Sequence, residues 1–191
     1  MKKLPTTPLQ RLIFIALLAA IAMMFMLLFG IAVIPGATYL KYEPSGGVIL
    51  LCGLLLGPAG ALECALVKCF LYFLIHGGSP YGHFSDLLAT CVFAGTTAFL
   101  MYRFRKMNLG RMLLCCAAGI ISATLVMIPA NYFILHLQYG MDPAAVSRSM
   151  IYIIPYNLFK TCLNSAFALI LYSPVSQAIR KTVKNGGHPH V

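Results

Sequence analysis

The sequence predicts an all-α integral membrane protein: six transmembrane helices forming one domain over residues 1–191, with both termini cytoplasmic. Three observations predict this. The chain is 60% hydrophobic and only 9% charged, with a mean hydropathy of +0.86, values of a polytopic membrane protein rather than a soluble domain. Long apolar runs alternate with short segments rich in Gly, Pro and charge. Ten of the fourteen Lys and Arg residues fall in three clusters that flank apolar runs: Lys2, Lys3, Arg11; Arg103, Arg105, Lys106, Arg111; and Arg180, Lys181, Lys184. The net charge of +10 therefore reports membrane orientation. Nucleic acid is excluded as a partner, since no soluble basic domain is present to bind it.

The first span covers about residues 8–33 and enters from the basic side. The apolar run over residues 12–34 exceeds a signal-peptide core, and no soluble domain follows it. Ala16 and Ala20 form a small-x-x-x-small pair, which lets another helix backbone approach closely in lipid. Pro35 and Gly36 open an outer loop carrying Tyr39, Lys41, Tyr42 and Glu43. Helix 2, about residues 46–56, is too short to span unaided. The turn at Gly57-Pro58-Ala59-Gly60 leads into helix 3, about residues 61–75. Glu63 and Lys68 lie on that helix five residues apart, on different faces, so no direct pair is expected.

Helix 4, about residues 84–102, follows a turn-rich outer loop. Asp86 near its start is expected to serve the positive end of the helix dipole. Helix 5, about residues 110–135, is interrupted by Pro129, with Asn131 and Tyr132 just beyond. Residues 138–149 are expected to form the last outer loop, and helix 6 to run over about residues 150–172. Residues 185–191 read as a disordered tail. The seven cysteines all sit in apolar stretches and read as small buried hydrophobes, not as disulfides or metal ligands. His76 and His83 lack the spacing of a helical metal pair, and no metal or cofactor is expected.

Chemistry concentrates in Ile151–Asn164, IYIIPYNLFKTCLN. Offsets of three and four residues put Asn157, Lys160 and Asn164 on one helical face. A lysine at mid-span costs about 2.5–3.5 kcal/mol on insertion scales. Lys160 lies about 18 Å beyond Arg148 and about 30 Å before Arg180 along an ideal helix, too deep to snorkel easily. It therefore requires a partner, a watery cavity or a ligand. Glu63 is the one carboxylate that this reading offers it within the bundle. Proline followed closely by asparagine recurs in helices 5 and 6, so Asn131, Asn157 and Lys160 are expected to converge on an outward-opening pocket. No Walker motif, G-x-S-x-G, H-E-x-x-H or paired carboxylate is present, so the chain does not read as an enzyme.

Four motifs in order resemble the riboflavin-specific substrate-binding subunit (S component) of energy-coupling-factor (ECF) vitamin transporters. They are Tyr39-Leu40-Lys41-Tyr42-Glu43-Pro44-Ser45; Gly57-Pro58-Ala59-Gly60 with Glu63 and Lys68; Pro129-Ala130-Asn131-Tyr132-Phe133; and Ile154-Pro155-Tyr156-Asn157-Leu158-Phe159-Lys160. The resemblance spans about residues 10–175. It implies an S-component-like bundle in the bacterial plasma membrane. The vitamin would be captured there for uptake, with coupling supplied by a separate transmembrane subunit and two cytoplasmic ATPase subunits. It implies that Ala16 and Ala20 dock on that transmembrane subunit, and that Asn131, Asn157 and Lys160 contact the isoalloxazine ring. Leu40, Tyr42, Tyr132 and Asn164 are the further ligand-site candidates. The family often has acidic residues after the serine of the first loop and after the glycine of the third-to-fourth loop; Gly46 and His83 stand at those places here. Riboflavin is expected as transported ligand, not as cofactor. The outer loops show no basic cluster in sequence to hold the phosphate of flavin mononucleotide (FMN). The alternatives are an S component for FMN, thiamine, folate or a queuosine precursor, and a channel or scaffold. A thiamine binder would use more acidic groups than four Asp and Glu supply, and a channel would be lined by polar residues along a continuous path.

Overall fold

The computed structural model describes residues 7–32, 41–77, 79–104 and 108–185. Among them are six α-helices: α1 (Pro8–Leu28), α2 (Ser45–Leu56), α3 (Pro58–His76), α4 (Pro80–Arg103), α5 (Leu109–Tyr139) and α6 (Pro143–Asn185). All but α2 are long and apolar enough to cross a membrane. Local chemistry sets their starts. Thr7 and Gln10 close a capping box ahead of Pro8. Asn108 accepts from Arg111 N, and Asp142 accepts from Ala145 N at the head of α6.

Three helices depart most from the bounds expected from the sequence. The first helix stops at Leu28, because Ile31–Ala32 (β1) leaves the helix to pair antiparallel with Lys41–Tyr42 (β2). Ile31 is β-branched, which favours an extended backbone once a partner strand is within reach. The fifth helix continues to Tyr139, where Gly140 takes a left-handed conformation (φ 62°). The sixth starts at Pro143, so the expected loop over 138–149 shrinks to a short turn, and the helix runs on past Tyr172 to Asn185.

The short helix α2 is the centre of the bundle. All twelve of its residues are buried, and α1, α3, α4 and α6 surround it. A helix apolar on every side must be buried, and at twelve residues this one is too short to span, so protein surrounds it. Close approach is possible because Gly47 lacks a side chain: a Cβ there would meet Phe167 Cδ1 at 2.8 Å and Asn164 O at 2.9 Å on α6. The reversal into α3 turns on Gly57, whose φ of 94° suits glycine. Apolar residues such as Leu9, Leu12, Ile13 and Leu17 on α1 face outward, as expected for a lipid-facing surface.

Candidate ligand-binding site

The polar face of α6 borders a cavity of about 360 Å³, within the usual range for a small-molecule site. Asn157, Lys160, Thr161 and Asn164 contribute from α6, and Asn131 joins them from α5. Phe93, Ala123 and Met127 add apolar wall, while Lys41 and Glu43 border it from the first loop. Asn164 is 1% exposed, and its Oδ1 has no hydrogen-bond partner among the described residues.

Lys160 is paired twice. Its Nζ lies 2.6 Å from Glu43 Oε1 and 3.1 Å from Asp86 Oδ1. The other oxygen of Asp86 accepts from Lys68, whose side chain is 2% exposed. Glu43 Oε2 accepts from Ser45 N at 3.1 Å and from the Ser45 hydroxyl. Two ammonium groups and two carboxylates from four segments thus form one balanced cluster. Coulombic attraction strengthens as water is excluded, which offsets the desolvation that each buried ion suffers.

This arrangement corrects two expectations, the role of Asp86 and the partner of Lys160. Asp86 is drawn into ion pairs with two lysines rather than serving the end of α4. Lys160 finds its carboxylates on the first loop and on α4. Glu63 is not its partner: it pairs with Arg11 at 2.7 Å. Glu63 and Lys68 indeed do not pair with each other, since Lys68 turns to Asp86.

The other candidates divide. Asn131, Asn157, Lys160 and Asn164 meet at the cavity, but Tyr42 and Tyr132 do not border it. The Tyr42 ring packs edge-on against Phe159, with centroids 6.3 Å apart. Tyr132 is 38% exposed and packs against Phe133. Leu40 lies outside the described residues. Tyr156 does border the cavity, and its hydroxyl donates to Lys41 O at 2.5 Å, tying α6 to β2. Sequence reasoning missed Glu43 and Asp86 as site residues. The available signal was charge arithmetic: two lysines deep in apolar runs each require an anion, and the chain has four acidic residues to supply them.

Sequence reasoning also missed that further basic groups border the cavity. Lys41, His76 and His83 all border it, although no cluster is visible in the linear sequence. The His83 ring packs on Tyr72 and Phe73, and its Nε2–H donates to Gly77 O at 2.7 Å. At the other surface, Ala16 is exposed and Ala20 half-buried on α1.

A family model for the substrate-specific component of ECF transporters matches residues 10–172. The chain belongs to this family. A solved structure described as the S component of a bacterial ECF transporter is also similar, with a TM-score of 0.77 at 30% identity; the match covers 91% of this chain and 99% of that one. No curated protein matches significantly. The S component described here is accordingly a transport subunit and a multi-pass protein of the cell membrane.

Proposed function

We propose that this S component binds riboflavin and delivers it for uptake, working with an ECF transmembrane subunit and two cytoplasmic ATPase subunits. The observation that carries the reading is the convergence of Asn131, Asn157 and Lys160 on one cavity. The pyrimidine edge of isoalloxazine presents acceptor, donor and acceptor in a row. Asparagine amides both donate and accept, whereas the lysine ammonium donates. Each of these groups left unpaired in a dry pocket costs about 1–3 kcal/mol, so matching that edge gives selectivity as well as affinity. The apolar wall of Phe93, Ala123 and Met127 suits the rest of the ring. Both cavity carboxylates are already paired with lysines, which disfavours a cationic vitamin such as thiamine.

A second reading, FMN, is favoured by Lys41, His76 and His83 at the cavity, groups that a phosphate would meet. The test is the absorption spectrum of protein purified in detergent from riboflavin-containing medium, followed by chromatography of the released chromophore. Flavin bands in about one-to-one ratio, released as riboflavin, support the first reading. Release as FMN moves the assignment to the phosphorylated form. A colourless protein that does not quench added riboflavin fluorescence sinks both.

A further inference from the structure

Lys68 is a buried charge that the ligand reading does not use. It is 1% exposed and absent from the cavity wall, yet it holds Asp86 Oδ2 from behind. A buried ion pair is a poor way to stabilise a fold, since packed apolar residues do as well or better. What this pair achieves is geometric. With one oxygen of Asp86 held from α3, the other is confined to a small arc, and that oxygen meets Lys160 Nζ at 3.1 Å. The ammonium rides on a flexible four-carbon stem that would otherwise sample many rotamers. Here it is fixed at two points, by Asp86 and by Glu43, and Glu43 is in turn held by Ser45.

We propose that Asp86, clamped by Lys68, is the positioning residue that aims the Lys160 ammonium at the ligand in the cavity. The inference rests on the riboflavin reading and adds a supporting layer to it. α3 supplies the clamp, α4 the carboxylate and α6 the ligand-contacting group. Asp86→Asn alone leaves an uncompensated buried ammonium, so the informative variant is Lys68→Met/Asp86→Asn. That change removes one whole ion pair and leaves Glu43 and Lys160 balanced.

The test uses the full chain in detergent with riboflavin, reading both affinity and the absorption bands of bound flavin. The double variant is expected to melt cooperatively and to bind riboflavin about ten-fold more weakly, as expected for a misplaced charged donor. Its bound-flavin bands should move away from those of wild type, a change that a merely structural role would not produce. Asp86→Glu keeps every charge but sets the carboxylate one methylene further out; it should shift the bands and weaken binding by about three-fold or more. Wild-type bands with affinity within about three-fold of wild type, in the double variant or, should that not fold, in Asp86→Glu, would overturn the positioning role. Wild-type protein that does not bind riboflavin overturns the ligand reading and this inference with it. Binding by wild type together with indifferent variants overturns the positioning role alone.

Discussion

Replacing Lys160 with Met tests the charge cluster directly, apart from any ligand. The change leaves two carboxylates and one ammonium. Asp86 keeps Lys68, so the loss falls on Glu43, whose side chain is 5% exposed and whose cation stood 2.6 Å away. Glu43 then retains Ser45, which supplies hydrogen bonds but no charge. Breaking a buried pair on one side costs about 3–5 kcal/mol. For a chain of this length each kcal/mol shifts the melting temperature by about 2–4 °C, so the fall should be about 6–20 °C. Adding Glu43→Gln removes the orphaned charge, and the glutamine oxygen can still accept from Ser45. The Lys160→Met/Glu43→Gln double variant should therefore recover most of the loss. The assay is thermal unfolding in detergent, read by a thiol-reactive dye as buried Cys52, Cys64, Cys115 and Cys116 become accessible. A single variant melting within about 2 °C of wild type, or a double variant no more stable than the single, would refute this account of Lys160.

Other outcomes follow from the same geometry. Asn157→Ala should weaken riboflavin binding by about ten-fold, the loss of roughly one buried hydrogen bond, measured by quenching of flavin fluorescence. Replacing Ala16 and Ala20 with Phe should leave riboflavin binding intact but abolish uptake in cells expressing the whole transporter; surviving uptake would remove this face of α1 from the docking surface. Gly119→Ala should destabilise by about 1–3 kcal/mol through overpacking, because its Cβ would collide with Thr97 Oγ1 and lie 2.9 Å from Phe93 O, a carbonyl that cannot rotate aside. Tyr156→Phe should lower stability by about 0.5–1.5 kcal/mol, the net worth of the bond to Lys41 O, detectable as a modest drop in melting temperature.

The sequence by itself determined the membrane class, the six helices found among the described residues and the polar face of α6. Each of these is written in local order: apolar run length, flanking Lys and Arg, and the three- and four-residue offsets from Asn157 to Lys160 and Asn164. It placed Asn131 beside that face through the repeated proline–asparagine pattern. Boundaries were less legible, since whether Ile31–Ala32 is helix or strand depends on Lys41–Tyr42 arriving alongside. Only the tertiary structure decided the partners of the charges. Glu43, Lys68, Asp86 and Lys160 stand far apart along the chain, and no periodicity links a residue just before α2 to one near the middle of α6. Pairing there is chosen by which ions the folded bundle isolates together from water. A buried charge is stable beside an opposite one wherever the packing supplies it, and that is a property of three dimensions rather than of spacing.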